Sequence, residues 1–250
     1  MTVPKFIPFE EQYLTFEALE DATFSIPIAM DYSLDNGSNW ISLEASTETP
    51  TIHAGEKILW KKSATAINKT FTATGAFKVY GNIMSLLYSD NFIGKVTLTA
   101  PNTFKELFKS NTYLTDASNL VLPATTVTNS AYMGMFSSCS NLVSAPKELP
   151  DSNNSSASYS TMFAYCSKLE NAPVILVKTA NNYAFQFCFR SCSKLKYLKC
   201  LITNRVNGDN ATYLWLIDAA SGGTFVKDAS MSSWPRSASG IPSTWTSIDA

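Results

Sequence analysis

The chain has 250 residues, with 19 Lys or Arg against 20 Asp or Glu and a formal net charge of −1. That length is enough for one large domain or two small ones, and 45% hydrophobic residues exclude a disordered chain. The balanced charge, without Lys/Arg runs, lacks the electrostatic footprint of a nucleic-acid or anionic-membrane binder, and no apolar stretch of about 18 residues predicts a membrane-spanning helix.

The chain opens on MTVPKFIPFEEQYLTFEALED, acidic through Glu10, Glu11, Glu17, Glu20 and Asp21 and without the basic-then-apolar pattern of a secretory signal, so none is expected. Residues 1–12 carry two prolines with Phe6, Ile7 and Phe9, and read either as an arm that docks on another protein or as a packed terminus. Residues 13–92 read as a β-rich, sandwich-like domain. Asp35-Asn36-Gly37 lies between Tyr32 and Trp40–Leu43, the pattern of a hairpin. Turns at Ala54-Gly55 and Gly75 precede strands through Ile58–Trp60 and Phe77–Val79, and Asn82–Phe92 reads as a helical bridge.

Residues 93–209 repeat themselves. Phe108, Phe136, Phe163 and Phe189 are 28, 27 and 26 apart, and Leu114, Leu142, Leu169 and Leu195 keep the same three spacings. A period of this size predicts about four stacked units that bury a shared core. Each unit is expected to hold a short helical or 3-10 segment around its Met-Phe and a short strand from its Leu. Residues 210–250 are rich in Ser, Gly and Pro and read as a degenerate repeat plus a C-terminal cap, with Leu216 falling 27 residues after Phe189 and Phe225 27 after Leu198.

Cys139, Cys166 and Cys192 recur at one repeat position; Cys188 and Cys200 do not. Five cysteines without a signal argue against a disulfide framework, and without CxxC pairs or a nearby histidine no metal site is expected. The recurring thiols read as buried core. His53 is the only histidine, and no G-x-S-x-G elbow or recurring carboxylate pair is present, so no catalytic residue and no cofactor is expected.

The phrase aromatic-x-x-Met-Phe-x-x-Cys-Ser-x-Leu-x-x-Ala-Pro, at Tyr132–Pro146 and Tyr159–Pro173, resembles the BspA-type leucine-rich repeats of gut Bacteroidales and their crAss-like phages. The resemblance weakens in the first repeat, with Asn111 for Cys-Ser, and in the fourth, with Leu198-Lys199 for Ala-Pro. It implies an α+β chain: a β-rich domain, then a short leucine-rich-repeat solenoid with a C-terminal cap. It also implies a non-enzymatic virion protein of a phage (fibre, decoration or receptor-binding component) or, alternatively, a bacterial surface adhesin or glycan-binding protein. The expected partners are other virion proteins and a host-surface glycan or protein, with a homo-oligomer such as a trimer, no nucleic acid and no membrane insertion.

In such a stack, equivalent positions form rows. Ser144, Asn171 and Tyr197 form one expected outward row and Ser138, Tyr165 and Ser191 a second; the large polar residues Tyr165, Arg190, Tyr197 and Lys199 are the candidates for recognition.

Overall fold

The computed structural model describes residues 7–206 and 208–250. Residues 1–6 of the expected arm lie outside the described residues. The strands before the repeats are β1 (Leu14–Ala18), β2 (Phe24–Ser25), β3 (Met30–Ser33), β4 (Ile41–Leu43), β5 (Lys57–Lys61), β6 (Thr72–Ala73) and β7 (Phe77–Asn82), followed by the single helical turn α1 (Ser85–Tyr88). The repeats contribute β8 (Leu114–Val121), β9 (Thr126–Val127), β10 (Glu148–Leu149), β11 (Asn153–Asn154), β12 (Val174–Ile175) and β13 (Thr179–Ala180). Last come β14 (Tyr197–Cys200), β15 (Asn204–Arg205), β16 (Thr224–Lys227) and β17 (Thr246–Asp249).

The first sheet runs β4-β3-β5-β1-β7-β8. Its pairs are antiparallel except the last, where β7 meets β8 in parallel. Alternation on β1 sends Leu14, Phe16 and Ala18 inward. Phe16 meets Phe24, Trp60, Phe71, Phe77 and Phe108 with ring centroids 5.0–5.8 Å apart. The Asn-Gly signal marks a real turn: Asn36 and Gly37 have φ of 57° and 86°, and Tyr32 faces Ile41 across the hairpin. Asp35 holds the loop, accepting bonds from the Ser33 hydroxyl and the Asn39 amide, both at 2.8 Å.

The repeats bond to one another in parallel. Thr97, β9 and β11 form one row, continued by β13 and β15; β10, β12, β14, β16 and β17 form another; Asp116, Ser144 and Asn171 form a third by single bridges.

Between these rows, residues 102–111, 130–139, 157–166 and 183–192 form four turn runs that are not helices. An α-helix bonds every amide to the carbonyl four residues earlier. Here only alternate amides bond along the chain, to the carbonyl three residues earlier: those of residues 131, 133, 135, 137 and 139 do so at 3.0–3.2 Å. The amides between them, of residues 130, 132, 134, 136 and 138, reach carbonyls of the next repeat at 2.8–3.0 Å. Every fourth residue takes a positive φ: Ser130, Gly134 and Ser138 in this run, with Asn102, Glu106 and Ser110 before it.

The α+β solenoid expectation is therefore corrected. Among the described residues strand accounts for 28% and helix for 6%, the strands fall into several sheets and no solenoid is found, so the structure is β-dominated. The expected helical layer is absent because half of each turn run's amides are committed to the neighbouring repeat. The sandwich-like domain is likewise replaced by a mixed sheet that takes its edge strand, β8, from the first repeat.

Buried pairs recur along each run: Phe104 with Phe108, Tyr132 with Phe136, Tyr159 with Phe163, Phe185 with Phe189. Because the repeats pair at strand spacing, these rings stack. Phe71, Phe108, Phe136, Phe163 and Phe189 form one ladder at 5.3–5.9 Å with planes within 19° of parallel. Phe104, Tyr132, Tyr159 and Phe185 form a second at 4.9–5.8 Å. The first ends on Trp215, turned 60° and stacked on Trp234 at 5.5 Å. Leu216 and Phe225 are buried there, and Phe225 pairs with Leu198 in register.

The recurring cysteines serve this ladder. Cys139, Cys166 and Cys192 donate to the backbone oxygens of Phe108, Phe136 and Phe163 at 2.9–3.1 Å. In the first repeat the Asn111 side-chain amide donates to Phe71 O at 3.2 Å and fills the same role. The position requires a small buried donor, and thiol or amide satisfies it.

Candidate recognition surface

The left-handed positions of the turn runs line up from repeat to repeat. One row is Asn102, Ser130, Ala157 and Tyr183; the next is Glu106, Gly134, Thr161, Phe187 and Leu214; the third is Ser110, Ser138, Tyr165, Ser191 and Asp218. For an L-residue this conformation costs about 1–2 kcal/mol, least for Gly and Asn. The early repeats hold Asn, Ser and Gly at several of these points. The third and fourth hold Thr161 (φ 54°), Tyr165 (63°), Tyr183 (58°) and Phe187 (54°). Bulky or β-branched side chains in this region are outliers, and outliers of this kind gather where strain serves a function.

Two of them, Tyr165 and Phe187, meet at Arg190. The Tyr165 amide bonds to Arg190 O at 2.7 Å, and the Phe187 amide to Tyr213 O at 2.9 Å, so the backbone sets the neighbours. The Arg190 guanidinium carbon stands 5.5 Å from the Tyr165 ring and 5.4 Å from the Phe187 ring, both in cation–π range. Phe187 packs edge-on against Tyr213 at 5.7 Å. Tyr165 and Tyr213 are 46% and 40% exposed.

Of the six expected surface residues, Tyr165 and Arg190 belong to this cluster. Ser144 and Asn171 lie in the third bridge row, where the Asn171 amide donates to the Ser144 hydroxyl at 3.1 Å. Tyr197, half exposed, and Lys199 lie on β14, opposite Thr224 and Val226. The expected residues thus fall on separate rows. Sequence reasoning passed over Phe187, Tyr183 and Tyr213; the only signal was that aromatics replace Gly and Ser at equivalent repeat positions.

A second feature lies where the N-terminal segment crosses β8. A groove of about 450 Å³ is lined by Phe9, Glu10, Leu120, Leu122, Lys147 and Glu148. It adjoins a smaller one of about 280 Å³ holding Glu17, Lys57, Lys78 and Asp116. Phe9 packs on Tyr80 at 5.6 Å, and the Asn82 side chain donates to Glu10 O, so residues 9–12 lie on β7. The two carboxylates of the smaller groove are already engaged, Glu17 by Lys78 at 2.9 Å and Asp116 by the Ser118 amide at 2.7 Å.

His53 is exposed and pairs with Asp21 at 3.0 Å, which raises the imidazole pKa and lowers the carboxyl through their hydrogen bond. Burial pushes the thiols of Cys139, Cys192 and Cys200 up to about 12 and those of Cys166 and Cys188 well above the ordinary value, so these cysteines are protonated core groups. No group of three or more His, Cys, Asp or Glu suited to a metal occurs among the described residues. Among those residues, no helix is long and apolar enough to cross a membrane.

No protein-family model, curated protein or solved structure matches the chain.

Proposed function

We propose that the chain is a non-enzymatic recognition protein, carried on the virion of a phage of gut bacteria as a fibre, decoration or receptor-binding component. The observation that carries the binding reading is the cluster of Tyr165, Phe187, Arg190 and Tyr213. It joins two exposed tyrosines, Tyr165 and Tyr213, to a fixed cation, both residue types common in interface hot spots, and Tyr165 and Phe187 sit on left-handed backbone positions that smaller residues fill at lower cost. The virion setting rests on the resemblance of the Met-Phe-x-x-Cys-Ser repeats to those of BspA-type proteins.

The test is attachment. The labelled chain should bind cells of gut Bacteroidales and compete with adsorption of phages that carry such repeats, and light scattering should give a closed oligomer. A monomer that leaves adsorption unchanged but still binds cells would move the chain to the alternative, a bacterial adhesin. Absence of cell binding at micromolar concentration would sink both.

A further inference from the structure

We infer that the Arg190 cluster takes an acidic saccharide, with the carboxylate of a uronic or sialic acid on the guanidinium and the sugar's C–H face on a neighbouring tyrosine. The inference rests on the recognition reading above and names its ligand class.

Arg190 makes no ion pair and no side-chain hydrogen bond among the described residues, and its Nε is buried without a partner. A guanidinium carries five donors in a rigid fork matched to a carboxylate. Most long cationic side chains swing in solvent; this one is held between the Tyr165 and Phe187 rings. A held fork with unspent donors loses little on meeting an oxyanion, and the bond is charge-assisted. The exposed cations Lys168 and Lys194 recur one repeat apart on the chain segment that follows the turn runs and add to the attraction.

The flanking groups favour a sugar over an acidic peptide. One fixed cation between aromatic faces suits a ligand with one carboxylate per ring and an apolar ring face. The hydroxyls of Ser167 and Ser193, each bonded to the preceding repeat at Ser140 O and Ser167 O, form a polar row suited to sugar hydroxyls. An acidic peptide would call for several cations held in place, whereas Lys168 and Lys194 are exposed and only Arg190 is held between rings.

The experiment is calorimetric titration of the full chain with oligogalacturonate, with its methyl ester, with glucuronate- and sialate-bearing oligosaccharides, and with poly-glutamate. At least one acidic saccharide should bind, and its methyl ester about tenfold or more weaker, since a charge-assisted pair is lost. Arg190→Gln should weaken the acid form by a similar factor without moving the melting temperature. Tyr165→Ser should weaken acid and ester forms alike, which separates the stacking face from the charge. Equal binding of acid and ester, or an Arg190→Gln chain that binds like the wild type, would overturn the inference. So would poly-glutamate binding more tightly than every saccharide. If no acidic saccharide binds while the chain still attaches to cells, the saccharide assignment falls and the recognition reading stands; if neither occurs, both fall.

Discussion

The N-terminal sheet and the repeats solve the same problem differently. In the sheet, distant strands pair along three to five residues, so backbone bonds and alternating side chains hold it together: β1 alone pairs with β5 and β7 over most of its length. In the repeats most strands are two residues long, and cohesion comes from amides that reach the next repeat and from rings that stack along the array. The strands of the sheet are extended except at Gly81 of β7, which takes a φ of 83°. The repeats hold aromatics in left-handed conformations while the amides of those residues reach the next repeat, as those of Tyr165 and Phe187 do. The lesson is that surface variation in the turn runs meets a conformational cost, whereas in the sheet it is limited by register.

The two regions nonetheless share one core, since the buried cluster runs from Leu14 to Trp245 and Phe108 touches both Phe16 and Phe136. The largest effect should come from cutting the ladder. Phe163→Ala removes a ring stacked at 5.3 and 5.4 Å on both sides and should cost about 3–5 kcal/mol. Urea denaturation should still show one transition at lower midpoint, followed by both far-UV signal and tryptophan fluorescence. Two separated transitions, with the sheet signal unmoved, would mean that the regions fold independently.

Next in size is the sheet's own weak point. Gly81, at φ 83°, lies where β7 passes the N-terminal segment, and an added Cβ would stand 2.1 Å from Tyr13 O. Gly81→Ala should cost about 2–4 kcal/mol through clash and backbone strain together. A chain that melts like the wild type would show that the segment before β1 is not held against β7.

How far the sequence could be read follows from the same contrast. The hairpin at Asn36-Gly37, the strands through Trp60 and Val79 and the buried cysteine row were all legible, because turn residues and period-2 alternation report directly on backbone shape. The turn runs were not. Their buried hydrophobic side chains fall in adjacent pairs every four residues (Ala131 with Tyr132, Met135 with Phe136, then Cys139), and over ten residues a period of four cannot be told from the helical 3.6. What decides between them is where alternate amides go, and that depends on the next repeat. Arg190 and Tyr165 were both legible as surface residues; that they meet was not, since Tyr165 comes from the preceding repeat, and Phe187 was passed over.

The left-handed rows give a smaller and sharper test. Gly134 and Thr161 occupy one row, and a Cβ at Gly134 would meet only ordinary contacts, 3.4 Å from Glu106 and 3.5 Å from Thr161. Gly134→Ala should therefore cost about 1 kcal/mol, from conformation alone, and Thr161→Gly should gain up to about 1 kcal/mol. Calorimetric melting of the two variants should move in opposite directions. Movement in the same direction would show that packing, not strain, governs the row.

The smallest expected effect separates the regions by pH. Asp35 accepts bonds from the Asn39 amide, the Asn39 side chain and the Ser33 hydroxyl, which hold its carboxyl down at about 2. A depressed folded pKa means that the loop's stabilisation is full above the unfolded value of about 3.9 and is lost as pH falls through about 2. The turn runs at 130–139 and 157–166 contain no carboxylate and have nothing to titrate in that window. Amide exchange at residues 35–39, corrected for its intrinsic pH dependence, should quicken between pH 4 and 2 while those turn runs stay protected, and Asp35→Asn should flatten the change in the loop. Acceleration in both places at once would tie the hairpin to the repeats through the common core and would show that the sheet and the array open as one unit.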